Sequence, residues 1–235
     1  MEYIYEPNED ILGLIYISCK NIGNRKATGS YYTSTKVVKN LISKFDFQDE
    51  EKILDPCCGT GNFLIQLPNS VSFNSIYGND IDAVSVKIAR LNMALKFNVP
   101  ITLIYEHITK LDFLTDFLSN GFHYIIGNPP WGYEFSENEK NKLKKTFKST
   151  SGKNIESYDV FIEQALRHLS YNGHLAFVLP EAILNVKAHT NIREIILQSC
   201  SIKNLDFLGN AFDGVQCPCI ILDLQNTHSL SLIHI

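Results

Sequence analysis

Asn128-Pro129-Pro130-Trp131 closes the stretch Tyr124–Trp131, whose apolar opening has the length of a short strand. A residue that precedes proline is pushed out of helical geometry, so Asn128 is extended. Pro129 and Pro130 have fixed φ and no amide hydrogen, so they offer carbonyls and cannot donate. The corner therefore presents an amide side chain, a main-chain carbonyl and a flat aromatic, held stiffly. That equipment suits the gripping of a planar ring that carries an amino group. Taken alone, an ordinary Asn-Pro turn explains the same residues equally well.

A second group of residues lies upstream. Ile53-Leu54-Asp55-Pro56 reads as a brief strand ending in an acid, followed directly by Cys57-Cys58-Gly59-Thr60-Gly61-Asn62-Phe63-Leu64. Asp80 comes about twenty residues beyond the glycines, the spacing of an acid that grips ribose hydroxyls. Asp112-Phe113 follows in a later loop. A dinucleotide fingerprint needs a third glycine where Leu64 stands. A phosphate-cradling Walker loop fails at the single Gly-Lys, Gly152-Lys153, which has Phe147 and Asn154 at the required glycine and hydroxyl positions. A bare Gly-x-Gly loop with an acid on the next strand fits a nucleoside without phosphates, such as S-adenosylmethionine. A plain strand-to-helix turn is the alternative for the glycines.

The elements that must position these residues alternate along the chain. Helices are expected over Glu9–Lys20, with Ile11–Cys19 as a buried apolar core, around Val37–Phe45, and over Ala83–Phe97, Ile155–Leu169 and Thr190–Ser199. Strands are expected at Ile53–Asp55, Ser75–Asp80, Ile101–Glu106, Tyr124–Asn128, His174–Pro180, Ile202–Gly209 and Pro218–Leu224. Seven strands separated largely by helices predict an α/β fold, a doubly wound and mainly parallel Rossmann-like sheet covered on both faces. Ligands in such sheets lie outside the carboxyl ends of the strands, where Asp55, Asp80, Asp112 and Asn128 all fall.

In this order the motifs resemble the adenine-specific, amino-methylating DNA methyltransferases. The resemblance runs from Ile11 to Gln225. It rests on Asp55–Leu64, on Asn128–Trp131, and on Thr28-Gly29-Ser30-Tyr31-Tyr32-Thr33-Ser34 ahead of the glycine loop, the order termed gamma. Ser157–Glu163, Gly173–Pro180 and Phe212 ahead of Cys217–Leu224 match further blocks, and Ser34 stands where the family usually has proline. The stretch Leu12–Ser34 is similar to restriction–modification polypeptides that combine methylation and cleavage.

The resemblance implies S-adenosyl-L-methionine as cofactor and double-stranded DNA as substrate, with the target adenine flipped into a pocket. It implies that Tyr32 and Thr33 contact the cofactor's amino-acid tail, that Asp55, Pro56, Cys57, Gly59 and Gly61 form its cradle, and that Asp80 takes the ribose. Ile81 would pack on the cofactor's adenine, with Asp112 and Phe113 beside it. Asn128 and Pro129 would accept the hydrogens of the target amine, Pro130 would complete the corner, and Trp131 and Phe212 would sandwich the flipped base. Methylation of RNA or of a protein glutamine amide fits the same grip, and a silent cofactor-fold scaffold is a further alternative.

Composition sets outer bounds. The chain has 235 residues, 45% of them apolar, and a net charge of −4, so it is not a basic nucleic-acid glove as a whole. No signal-peptide pattern and no apolar run of spanning length is present, which predicts a cytoplasmic protein. The six cysteines form no CxxC pair and no histidine cluster has ligand spacing, so reduced, mostly buried thiols and no metal are expected. Lys140–Lys153 holds six lysines and no acid, expected to be a mobile loop that tracks DNA phosphates or a solvated charged face. Residues 1–25 are expected to be a helical extension and 26–235 the catalytic domain. Since target-recognition regions of such enzymes usually follow the last strand, recognition is expected from a separate domain or subunit.

Overall fold

The computed structural model describes residues 8–19, 32–117, 119–151, 155–211 and 217–227. Its centre is a seven-stranded sheet built from β1 (Ile53–Asp55), β2 (Ile76–Asp80), β3 (Ile108–Lys110), β4 (Phe122–Gly127), β5 (Leu169–Pro180), β6 (Cys200–Asn210) and β7 (Pro218–Asn226). The order across the sheet is β3-β2-β1-β4-β5-β7-β6. The first five run parallel, and β7 lies antiparallel between β5 and β6. The strand direction reverses its spatial progression between β1 and β4, which is where a doubly wound sheet opens a crevice. β1 is buried at all three positions, as a strand with helices on both faces must be.

Helices α1 (Ile11–Cys19), α2 (Thr35–Ile42), α3 (Asn62–Ile65), α4 (Ala83–Phe97), α5 (Ile101–His107), α6 (Glu137–Thr146), α7 (Ser157–His168) and α8 (Thr190–Ser199) surround the sheet. α4 and α8 have the expected bounds. Asp82 caps α4 by accepting from Val84 N at 3.0 Å, and Asn98 ends it in the left-handed conformation. Ser34, the departure from the family's proline, caps α2 with its side chain, which accepts from Val37 N.

Three expectations about these elements are corrected. Ile101–Glu106 is not a strand but the body of α5, and the third strand follows it at Ile108–Lys110. Pro100 stands at the cap and opens the helix. Ile104 is buried while Ile101 and Tyr105 are exposed, a helical rather than alternating pattern. The Arg90 guanidinium lies 3.9 Å over the Tyr105 ring, and His107 Nδ1 is 2.8 Å from the Ile76 carbonyl, so tertiary contacts override β-branched propensity. The lysine stretch is not a loop at its start: α6 begins at a Ser136–Glu139 capping box and buries Leu143, with Phe147 buried just beyond. Gly152, Lys153 and Asn154 lie outside the described residues. Finally, α1 is a helix but not a buried one. Leu12, Leu14 and Ile15 are exposed, and only Gly13 is buried.

All six cysteines are free. Cys58 and Cys219 are buried, Cys19 is exposed and the other three are half-buried, so "mostly buried" overstated their environment. No helix among the described residues is long and apolar enough to cross a membrane.

Candidate active site

At the carboxyl ends of β1, β2 and β4 the crevice opens into a cavity of about 370 Å³. Its wall carries Asp55, Asp80, Asp82, Asp112 and Glu139, and no lysine, arginine or histidine among the described residues. Such a wall repels phosphates and attracts a cation, which is the electrostatic difference between a sulfonium nucleoside and a nucleotide.

Each acid is held in place. Asp80 Oδ2 accepts from Gly59 N at 2.9 Å, and Asp80 Oδ1 accepts from Asp82 N at 2.8 Å, so the glycine loop is tied to the end of β2. Gly59 has φ +53°, and a Cβ built there meets nothing within 4 Å, so its open side faces free space. Asp112 Oδ1 accepts from Leu114 N at 2.9 Å. Ile81 is 54% exposed on the cavity wall, a bare apolar platform of the kind a purine face covers. Phe113 also lines the cavity, yet its ring is almost wholly buried, 5.3 Å from Phe117 and 5.5 Å from Phe161.

Asp55 is fully buried, and burial pushes its carboxyl up to about 8, with the nearby Asp80 charge adding to the rise. Its Oδ1 accepts from Cys57 N at 3.2 Å. Burial and the same two acids push the Cys57 and Cys58 thiols well above their ordinary range, so both stay protonated and unreactive. Asn79 supports the cradle from below, donating to the Pro56 carbonyl at 3.0 Å, while its own carbonyl accepts from Cys58 N at 2.9 Å.

The segment that enters α2 reaches the same cavity through Tyr32 and Thr33. Asn62 Nδ2 donates to the Thr33 carbonyl at 2.6 Å, and the Asn62 Oδ1 is buried with no hydrogen-bond partner. A buried acceptor left unmade costs about 1–3 kcal/mol, so it suits a ligand that brings a donor, such as an ammonium group. Behind the loop, fully buried Asp10 accepts from Gly13 N at 2.9 Å, from Asn92 Nδ2 at 2.8 Å and from Thr60 Oγ1. This seats α1 against the glycine loop, and Ile17 of α1 lines the cavity.

The Asn-Pro-Pro-Trp corner leaves β4 at Gly127. A Cβ there would lie 2.6 Å from Asp55 Oδ1, so only glycine lets β4 pass the buried acid. Asn128 Nδ2 donates to Thr33 Oγ1 at 3.1 Å, whereas Asn128 Oδ1 is buried without a partner. Of the corner's carbonyls, that of Asn128 accepts from Cys57 Sγ at 3.3 Å and that of Pro130 from Ser157 Oγ at 2.5 Å. No hydrogen bond among the described residues reaches the carbonyl of Pro129 between them. The two acceptors left open are the Asn128 side-chain oxygen and the Pro129 carbonyl.

Asn128 and Pro130 line the cavity; Pro129 and Trp131 do not, and Trp131 is buried at 7% exposure. Phe212 lies outside the described residues. The aromatic wall beside the corner comes instead from Tyr133 and Phe135, whose ring centroids are 5.0 Å apart. Sequence reasoning passed over these two, as well as Asn62, Asn79 and Asp10. Tyr133 and Phe135 were legible as aromatics within five residues of the corner; Asn62 stood inside the glycine-loop block without an assigned role, and Asn79 and Asp10 carried no motif.

The chain is 27% identical over 217 residues to the type II methyltransferase M.VspI of Vibrio sp. (strain 343), covering 89% of this chain and 51% of that one. With the type I restriction enzyme EcoEI methylase subunit of Escherichia coli it shares 26% identity over 216 residues, covering 86% of this chain and 42% of the relative. The chain thus spans about half the length of these curated relatives. Among solved structures, the type I restriction–modification methyltransferase subunit of Streptococcus thermophilus superposes with a TM-score of 0.67 at 24% identity, over 93% of this chain and 50% of that one. The DrdV–DNA complex gives 0.69 at 16% identity, over 93% and 28%. These likenesses establish the fold. The model of the N-6 DNA Methylase family matches residues 8–230, a span that includes every described residue, and the chain belongs to that family.

Proposed function

We propose that this protein transfers a methyl group from S-adenosyl-L-methionine to the exocyclic amine of an adenine flipped out of double-stranded DNA, within a restriction–modification system. The observation that carries the reading is the pair of unpartnered acceptors, Asn128 Oδ1 and the Pro129 carbonyl, in a corner whose Asn128 and Pro130 line the acid-walled cavity. The adenine amine is a poor nucleophile because its lone pair is delocalised into the ring. Two acceptors that take its two hydrogens return density to the nitrogen and fix the direction in which the lone pair points. The amide holds this role without a change of charge; the amine becomes cationic and strongly acidic once the new N–C bond forms and gives its extra proton to water, so no strong base is needed.

S-adenosylmethionine, when bound, supplies an already activated methyl on a sulfonium centre. The residues that would hold it fit its chemistry. Asp80 and Asp112 offer negative charge, Asp55 a buried carboxyl that a bound cation would ionise, Asn62 Oδ1 an unfilled acceptor, Gly59 an open backbone and Ile81 an apolar face. Tyr32, Thr33, Pro56 and Cys57 complete the cradle beside them, whereas Gly61 does not line the cavity and instead packs against Ala89 of α4. On the substrate side, the half-buried Tyr133 on the cavity wall would stack on a purine, backed by the buried Phe135, with Trp131 behind the corner. The exposed lysines of α6, Lys142, Lys144 and Lys145, follow the corner directly and suit DNA phosphates. Sequence recognition would come from a further domain or subunit, and the cytoplasm is where such an enzyme meets DNA.

The direct test is transfer of labelled methyl from S-adenosylmethionine to DNA lacking adenine methylation, followed by digestion to nucleosides. Label in 6-methyladenine supports the reading. Label in RNA, in a glutamine amide or in 4-methylcytosine, with none in 6-methyladenine, overturns it.

A further inference from the structure

The Pro129 carbonyl has no partner of its own, yet the reaction needs it aimed within narrow limits. Its peptide plane sits in a run where few torsions are free. Both prolines fix φ, so the orientation of the three successive carbonyls depends on ψ at Asn128, Pro129 and Pro130. Cys57 Sγ, 3.3 Å from the Asn128 carbonyl, fixes the plane before Pro129. Ser157 Oγ, 2.5 Å from the Pro130 carbonyl, fixes the plane after Pro130. The Ser157 hydroxyl also accepts from Tyr133 N at 3.4 Å, so one buried oxygen binds the chain on both sides of Trp131. Ser157 opens α7, a helix buried along most of its length, so the anchor is rigid.

We propose that Ser157 and Cys57 are positioning residues that hold the two peptide planes on either side of the Pro129–Pro130 peptide and thereby aim the Pro129 carbonyl at the target amine. Cys57 lines the cofactor cavity as well, whereas Ser157 does not, so Ser157 is the residue that separates aiming from cofactor binding. The proposal rests on the methyltransferase reading of the site. Trp131, the chain's single tryptophan, adjoins Pro130 and reports on the corner without any need for catalysis.

The test compares the parent with Ser157→Ala in three measurements. Acrylamide quenching of Trp131 should rise severalfold with a red-shifted emission. S-adenosylmethionine affinity should stay within about twofold of the parent. The single-turnover rate of methyl transfer to DNA should fall about tenfold with the KM for DNA little changed, the factor that goes with one lost hydrogen bond. Ser157→Thr and Ser157→Val, of nearly equal shape, replace Ser157→Ala if that variant does not fold. The threonine should keep the parental quenching and the valine lose it. Unchanged Trp131 quenching, or an equal effect of threonine and valine, overturns the clamp. A parent that transfers no methyl overturns the reading of the reaction instead, and the fluorescence comparison then decides the clamp by itself.

Discussion

Thr33 Oγ1 and Asn128 Nδ2 meet at 3.1 Å although the residues are 95 positions apart. The contact ties the segment that enters α2 to the corner that leaves β4. It has a direct chemical consequence, because a donated Nδ2 turns the amide oxygen of Asn128 the other way, where it stands buried and unpartnered. The residue that resemblance assigns to the cofactor's tail therefore also sets which end of the amide is left without a partner.

Thr33→Val removes that acceptor at nearly constant volume. The Asn128 amide then has two orientations of similar energy, and transfer should slow roughly five- to tenfold, as expected for about 1 kcal/mol. Thr33→Ser should restore the rate. Steady-state kinetics with both variants, alongside cofactor titration, check this. An unchanged rate in Thr33→Val would show that the amide orients without help.

The carboxyl of Asp55, raised to about 8 by burial, gives a pH signature. Its pKa in the folded chain exceeds the ordinary value of 3.8, so the folded state holds a proton that the unfolded chain has lost. The sign follows: this group's contribution to stability declines as pH rises from about 4 to about 8. A bound cation favours the ionised form, so cofactor affinity should rise with pH across the same upper range and level off above it. Asp55→Asn should flatten both profiles and weaken binding. Thermal melts and titrations between pH 6 and 9 provide the comparison.

Asp10 gathers three donors in a site without water contact, and burial raises its own carboxyl above the usual range. Asp10→Ala leaves Gly13 N, Asn92 Nδ2 and the Thr60 hydroxyl without their acceptor. A loss of about 2–4 kcal/mol is expected from stranded buried donors. Chemical denaturation would measure it. Because Thr60 belongs to the glycine loop, cofactor affinity should fall as well, and an effect on stability alone would detach α1 from the site.

Helix α6 gives a salt-dependent prediction. Each lysine that meets a phosphate contributes about 0.9 to the slope of log affinity against log salt. Replacing Lys142, Lys144 and Lys145 together by glutamine should reduce that slope by up to about three while leaving cofactor binding unchanged. A slope equal to the parent's would make α6 a solvated face.

Much of the site was legible in the sequence because its residues stand at strand ends. Asp55, Asp80 and Asn128 close β1, β2 and β4 or follow them directly, and apolar runs that stop at acids or prolines mark such positions plainly. The β3 region was not legible, since Ile101-Thr102-Leu103-Ile104 favours a strand by composition and becomes a helix through Pro100, Arg90 and Ile76. α6 was missed for a related reason: its charge content hid the Ser136–Glu139 capping box and the buried pair Leu143 and Phe147. The polar supports Asn62 and Ser157 stood inside recognised blocks and Asn79 and Asp10 outside them, but the roles of all four depend on partners tens of residues away and so could not be read. The same limit applies to Trp131, whose type suggests stacking but whose burial places it behind the corner rather than on the cavity wall.

The most direct measurement is methyl transfer by Asn128→Ala, with labelled S-adenosylmethionine, adenine-unmethylated DNA and nucleoside digestion, beside a cofactor titration of the same protein. Loss of one of two preorganised acceptors should slow formation of 6-methyladenine by on the order of 10²–10³-fold or more, with cofactor affinity within about twofold of the parent. A variant that forms 6-methyladenine at the parental rate would contradict the account, since the amide oxygen would then have no part in the transfer.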